Sequence, residues 1–279
     1  MTFQLTEPIL VIGLGGVGTR LAEKTKKSLN SDCLMISHDQ NDLTAENSIK
    51  ISTKSVVNPS THLIRGSTLE TSDEIKKNIA NYSTIILMSN LAGKAGTGIG
   101  PIVSKICKQE QKNLLSFAVM PFKFEKERIF QSGIALKRIR QDSQCTIVID
   151  NDALLDSNPD LTQKQCYDIS NNAIESMVHS LKSSEISDNT NILSTSKTAD
   201  DIEVSLKDSL RMLYEDAPPN SIKRSMLYVY GDGNIPVGVL NTISNITGGT
   251  FDEDSTPVSY THLRAHETSL HLVCRLLLE

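Results

Sequence analysis

Two short glycine-rich segments constrain this chain more than anything else in it: Gly13-Leu14-Gly15-Gly16-Val17-Gly18 and Gly93-Lys94-Ala95-Gly96-Thr97-Gly98. Each follows an apolar run, Ile9-Leu10-Val11-Ile12 for the first and Ile85-Ile86-Leu87-Met88 for the second, and each leads into a helix pattern. Short apolar runs bounded by turn residues read as strands buried on both faces. Glycines at a strand-to-helix turn let the backbone come close to an anion, and the exposed N–H groups and positive helix end favour one. A single loop of this kind is ambiguous, because dinucleotide-binding domains and E1-like adenylating enzymes use it too, and so does a tight turn that binds nothing. Two such loops in one parallel sheet fall at the same carboxyl edge. Facing anion cradles suit a di- or triphosphate better than a lone phosphate. Lys94 is either in reach of a phosphate oxygen or simply solvated.

The pattern around the loops fills in an α/β domain. A helix is expected from about Val17 to Leu29, strands at Cys33–Ile36, Leu114–Met120 and Thr146–Ile149, and a helix over Glu125–Arg140. A further helix is expected to begin near Pro101, where a residue without an N–H fits the first turn. Strands alternating with helices imply a parallel sheet covered on both faces. From Leu161 to Leu181 the apolar positions Ile169, Ala173, Met177 and Leu181 recur every four residues, the stripe of one long helix. Ser183 to Thr198 is rich in Ser, Asn and Thr and reads as a connector. A helix over Asp201–Tyr214, a Pro218-Pro219 turn, a strand over Ser225–Tyr230 and a helix over Val237–Ile246 follow, a region too short to close a sheet by itself.

Bulk properties exclude several classes. A chain of 279 residues with 38% hydrophobic and 22% charged residues can bury two ordinary cores. A net charge of -5 offers no basic face to nucleic acid. No apolar run approaches the roughly 20 residues that cross a bilayer, and no leader pattern opens the chain. The five cysteines are scattered, without a Cys-x-x-Cys pair, which fits reduced thiols in a cytoplasm and no structural metal.

Several segments together resemble the tubulin/FtsZ superfamily. Ala92-Gly93-Lys94-Ala95-Gly96-Thr97-Gly98, followed by Pro101, is similar to the tubulin signature, a Gly-Gly-Gly-Thr-Gly-Ser/Thr-Gly run. Pro121-Phe122-Lys123-Phe124-Glu125 matches the Pro-Phe-x-Phe-Glu segment, and Ile149-Asp150-Asn151-Asp152-Ala153-Leu154-Leu155 resembles the Ile-Pro-Asn-Asp-x-Leu-Leu segment. They stand in family order at roughly family spacing, over about Ile9 to Thr250. The resemblance implies a parallel-sheet, Rossmann-like GTPase domain, a long central helix and an α+β second domain that is here truncated. It implies GTP or GDP as ligand, with Mg2+ accompanying GTP. Gly15, Gly16 and Gly18 would sit under the phosphates, and Gly93, Lys94, Ala95, Gly96, Thr97 and Gly98 would wrap the β- and γ-phosphates. Glu125 would accept from the ribose hydroxyls, Asn151 would contact the guanine edge, Tyr167 would stack on the ring and Asn171 would read its Watson–Crick edge. Tyr167 and Asn171 lie four apart on a helix and so share a face, and a ring beside an amide suits a purine. Asp39, in Ser37-His38-Asp39-Gln40, either organises a magnesium-bound water or caps the following turn. Ile64-Arg65-Gly66 resembles the Thr-Arg-Gly of another phosphate-side loop.

The pattern breaks where the family carries its catalytic acids, which act on the nucleotide of the neighbouring subunit through an Asn-x-Asp-x-x-Asp loop. Counted without gaps, Asn191 takes the asparagine and Leu193 and Ser196 take the acids. In a shifted alignment Ala199-Asp200 fits and Lys197 replaces the other acid. Asp200 and Asp201 are therefore the weak catalytic candidates, and hydrolysis is expected to be weakened or dependent on a partner. The expected organisation is a GTP-binding domain over 1–160, a central helix over 161–183, a partial C-terminal domain over 184–256 and a non-native tail over 257–279. That tail's Val258–Thr268 stretch is similar to a peptide translated from sequencing-adapter DNA. The expected protein is a cytoplasmic, filament-forming cytoskeletal one that assembles with itself or with a related FtsZ-like subunit, with a membrane-tethering adaptor as a further partner. The competing reading is a Rossmann-type enzyme, an NAD oxidoreductase or an E1-like adenylating enzyme. Asp39 at the end of the second strand would serve such an oxidoreductase. This reading leaves the second glycine loop unexplained.

Overall fold

The computed structural model describes residues 2–54, 57–182, 185–188, 190–196, 202–216, 222–231, 258–263 and 271–278, with single positions at 238, 241 and 245. The chain divides into two compact units, Met1–Val148 with Leu181–Asp188, and Ile149–Ser180 with Asn189–Glu279.

The first unit is a parallel sheet between helices. Its strands are β2 (Ile9–Leu14), β3 (Asp32–Ser37), β4 (Ser48–Lys50), β5 (Thr84–Asn90), β6 (Asn113–Met120) and β7 (Cys145–Asp150), with the two-residue β1 (Thr2–Phe3) pairing antiparallel with β8 (Ile186–Ser187). The strands lie in the order β7-β6-β5-β2-β3-β4, and the pairs β2/β3, β2/β5, β3/β4 and β5/β6 are parallel. Every residue of β2 and of β5 is buried, as central strands covered on both faces require. Helices α2 (Thr61–Glu70), α3 (Ser72–Ile79) and α4 (Lys94–Gln109) supply Ile64, Ile75, Ile99 and Val103 to a core with Leu10, Ile12, Leu34, Ile36, Ile85 and Leu87. A fully buried aliphatic side chain of this size contributes about 1.5–3 kcal/mol. Residues alternate faces along a strand, so Gly13 points the other way, toward α1 (Gly15–Leu29). A Cβ on Gly13 would fall 2.8 Å from the Cβ of Ala22, so the missing side chain is what lets α1 lie close to the sheet.

The helix expected to begin near Pro101 begins at Lys94 instead, and Pro101 lies inside it. The glycines of the second loop are themselves the first turns of α4: their low intrinsic helix propensity is overridden by burial of Ala95 through Val103. Helix α5 (Lys126–Asp142) follows β6, one residue after Glu125.

The second unit contains α6 (Asn151–Ser157), α7 (Gln163–Ser180), β9 (Thr190–Thr195), α8 (Ile202–Asp216), β10 (Ile222–Gly231), β11 (Val258–Leu263) and β12 (His271–Leu278). The long helix expected over 161–181 is α7. Within this unit the strands run β11-β10-β12-β9, with β10/β11 parallel and β10/β12 and β12/β9 antiparallel. One expectation is corrected here. The Ser/Asn/Thr-rich connector holds a strand, β9, whose residues from Asn191 onward are buried although four of its six are Ser, Thr or Asn. The region after it supplies one strand, β10, to this sheet; β9 on one side in sequence and β11 and β12 on the other complete it, in keeping with a region too short to close a sheet by itself. The turn at Pro218-Pro219 lies outside the described residues, as does the helix expected over Val237–Ile246 save for positions 241, 245 and 238.

Candidate functional site

The parallel register brings the ends of three strands to one edge. Leu14 pairs with Ser89 and Asn90 with Val119. Gly15, the segment Leu91-Ala92-Gly93 and Pro121 therefore follow the sheet at the same level. Helix α1 begins directly at Gly15, whose φ of 65° is the left-handed region that glycine enters without strain. The second turn is shaped by Asn90: its side chain accepts the Ala92 N–H at 2.9 Å and its carbonyl the Gly93 N–H at 3.2 Å. At Gly96 a Cβ would fall 2.1 Å from the Asn90 carbonyl oxygen, so no side chain fits without moving the turn.

The two loops touch. A Cβ on Gly15 would lie 2.7 Å from the Cβ of Ala95. Neither helix has a side-chain cap: Leu14 precedes α1 and Gly93 precedes α4. An α-helix leaves its first four N–H groups without intrahelical partners, and the aligned peptide dipoles put about half a positive charge there. Two bare helix N-termini side by side are an acceptor-seeking, electropositive cradle for an anion with several oxygens.

Charged groups surround it. Lys94 Nζ donates to Asn58 Oδ1 at 2.6 Å and to the Pro59 carbonyl at 3.0 Å, pinning the segment before α2 to the mouth of α4. Arg65 Nη2 donates to the Thr97 carbonyl at 3.3 Å. That carbonyl is available because Pro101, four residues on, has no N–H to offer it; the arginine takes over a bond that the proline cannot make. Burial, with Arg138 close by, holds the Arg65 guanidinium below its ordinary pKa. Asp39 accepts the Asn41 N–H at 3.0 Å and caps the short 3-10 turn Gln40–Asp42, the capping role that the sequence left open. The carboxylate brought against the first loop is that of Asp42, which accepts from Ser37 Oγ at 2.7 Å. Burial pushes the His38 imidazole below its ordinary pKa, against the pull of Asp42 and Asp39.

Glu125 precedes α5. Its Oε2 accepts the Phe122 N–H at 3.2 Å and its Oε1 accepts Arg128 Nη1 at 2.7 Å. A carboxylate has about four lone-pair positions, so acceptor capacity for hydroxyl groups is left. Ser132 of α5 donates to the Leu91 carbonyl at 2.7 Å, fastening this helix to the start of the second loop.

In the second unit α6 and α7 gather polar side chains. Asn151 is fully buried; its Oδ1 accepts from Ser170 Oγ, and its Nδ2 has no partner. Asn171 Oδ1 is likewise buried without a partner. Tyr167 stands one turn before Asn171 on α7, half-buried. A buried amide atom left unsatisfied costs about 1–3 kcal/mol, and here one donor and one acceptor are both held open, the complement of a heteroaromatic edge. Asp200 and Asp201 lie outside the described residues. Leu193 and Ser196, which the ungapped alignment sets at the acid positions, are buried, Leu193 within β9. Among the described residues no group of three or more His, Cys, Asp or Glu could hold a metal ion, and no helix is long and apolar enough to cross a membrane.

Sequence reasoning missed Asn90, Ser37 and Asp42. Asn90 left a signal, since an Asn closing a strand three residues before a glycine is an Asx-turn pattern. Asp42 left none, because only the fold of the 3-10 turn brings it to Gly16. Burial pushes the Cys107 thiol up to about 12 and the Cys33 thiol up to about 11, so neither of these two favours the thiolate that an E1-like enzyme would use.

Residues 8–159 match the tubulin/FtsZ family, GTPase domain. Cell division protein FtsZ 1 of Halobacterium salinarum is 26% identical over 184 residues, 61% of this chain and 46% of that protein. The chain thus spans under half the length of the curated relatives it matches. The empty FtsZ dimer of M. jannaschii superposes with a TM-score of 0.77 at 17% identity, over 98% of this chain and 88% of that one. The GTPγS-bound CetZ2 protofilament of Haloferax volcanii superposes with a TM-score of 0.69 at 14% identity, over 96% and 92%.

Proposed function

This chain belongs to the tubulin/FtsZ family of GTPase domains, and we propose that it binds GTP and GDP as an FtsZ-like cytoskeletal protein that assembles head to tail into filaments. The observation that carries the reading is the pair of uncapped helix N-termini in contact at one sheet edge. The phosphates lie on Gly15, Gly16 and Gly18 and are wrapped by Gly93 through Gly98, with donors aimed at them before they arrive. Glu125 takes the ribose hydroxyls. The guanine is stacked on Tyr167 and read by Asn171 and Asn151, whose open amide atoms it satisfies. Mg2+ accompanies GTP, neutralising phosphate charge. Glycine at position 96 supports this reading, because a Cβ there would strike the Asn90 carbonyl and displace the turn that presents the start of α4.

Hydrolysis takes place at the interface between stacked subunits and is weakened, because the acidic loop is incomplete. Asp200 and Asp201 are the candidate acids offered to the next subunit's nucleotide. A head-to-tail contact that does not close repeats into an open filament. The partner is a second copy or a related FtsZ-like subunit that restores the missing acid, the location is the cytoplasm, and a membrane-tethering adaptor is a further partner. The protofilament form of the H. volcanii CetZ2 structure supports self-assembly as the mode.

The test is GTP turnover against protein concentration. The expected result is a low specific rate that climbs steeply above a threshold concentration, with filaments sedimenting over the same range. A specific rate independent of concentration would contradict hydrolysis at a subunit interface.

A further inference from the structure

A carboxylate stands at the mouth of an anion cradle. Asp42 Oδ1 lies 2.6 Å, and its Cγ 3.4 Å, from where a Cβ on Gly16 would be, and Oδ2 lies 3.9 Å from the Cβ position of Gly15. The group is not free to swing away. Its Oδ2 accepts from Ser37 Oγ at 2.7 Å, Ser37 is fully buried at the end of β3, and the same hydroxyl accepts the Asp39 N–H at 3.1 Å. Arg20, one turn along α1, brings its Nη1 within 3.8 Å of the same Gly16 position. The first turn of α1 therefore carries a fixed negative charge before any ligand arrives, with a cation on its flank.

Resting on the guanine-nucleotide reading, we propose that Asp42 sets the charge requirement of the phosphate cradle, admitting a nucleoside diphosphate or triphosphate as its divalent-cation complex and disfavouring the free polyanion. The physical cause is like-charge repulsion at close range. The positive end of α1 attracts a phosphate, and a carboxylate held against Gly16 opposes it. A divalent cation on the phosphates turns that repulsion into attraction, because the same carboxylate then faces positive charge. Asp42 acts as a specificity-determining residue. The turn that carries it is also capped by Asp39, which accepts the Asn41 N–H.

The experiment measures GDP affinity in excess EDTA and in millimolar magnesium for the wild type, Asp42→Asn and Asp42→Ala. Asp42→Asn keeps an acceptor for Ser37 and puts a neutral amide where the charged carboxylate stood. The expected result is wild-type binding that is about tenfold weaker in EDTA than in magnesium, and variants whose affinities in the two conditions agree within about twofold because the EDTA value has tightened. Binding by all three proteins with the same EDTA-to-magnesium ratio overturns the role of Asp42 alone. That outcome, with a lowered Tm in both variants, would leave the carboxylate as a helix-terminus charge and nothing more. No saturable binding of GDP by wild type or variants in magnesium would overturn the nucleotide reading and this inference with it.

Discussion

Replacing Asn171 with alanine is expected to weaken GDP binding about 100-fold while leaving the empty protein as stable as before. The two halves of this result are read from one atom. Asn171 Oδ1 is buried and has no hydrogen-bond partner within the chain, so deleting it removes no internal bond and relieves an unsatisfied acceptor, and the apo stability should not fall. Bound guanine offers N–H donors where that acceptor waits. With alanine there, those donors lose water without gaining a partner, a penalty of about 1–3 kcal/mol per group, and roughly 2.7 kcal/mol corresponds to the factor of 100. A structural asparagine would behave in the opposite way, lowering Tm and leaving affinity alone. Calorimetric titration beside a thermal melt separates the two, and an unchanged GDP affinity would remove Asn171 from the site.

Gly96→Ala should be the more damaging change, and it should act on both quantities. The new methyl would begin 2.1 Å from the Asn90 carbonyl, which is backbone and cannot rotate out of the way. That carbonyl also accepts the Gly93 N–H, so moving it dismantles the turn that aims α4 at its ligand. Overpacking a buried site costs about 3 kcal/mol, and for a chain of this size that lowers Tm by about 6–12 °C. Because the turn and the cradle are the same residues, nucleotide affinity should fall below detection in protein that still shows native circular dichroism at low temperature. A variant with native Tm and native affinity would show that the second loop is not as tightly built as its geometry indicates.

The first unit was legible in the sequence because its signals are local and mutually consistent. Apolar runs such as Ile85–Met88 cannot be covered except in a doubly packed parallel strand, and glycines directly after them mark the turns. The start of α4 was misplaced because glycine propensity argues against helix, whereas burial of Ala95 through Val103 decides for it. Strand β9 was hidden by composition: Ser, Thr and Asn suggest a loop, yet Asn191, Ser194 and Thr195 are buried. In the site, the glycines and Glu125 could be placed from motif and spacing. Asp42 and Ser37 could not, since the contact of Asp42 with Gly16 depends on how the 3-10 turn folds back over α1. Lys94 could be assigned to the loop but not to its contact, because Asn58 and Pro59 lie more than thirty residues away in sequence.

The central claim is that the cradle holds a guanine nucleotide, and the most direct measurement is the thermal stability of the protein with GDP, GTP, ADP, ATP and NAD in turn, each in magnesium. A ligand that binds only the folded state at 100 times its Kd stabilises by about 2.7 kcal/mol, a rise in Tm of about 5–10 °C. The account predicts that rise with GDP and GTP and none with ADP, ATP or NAD. A rise with NAD or ATP and none with the guanine nucleotides would contradict it.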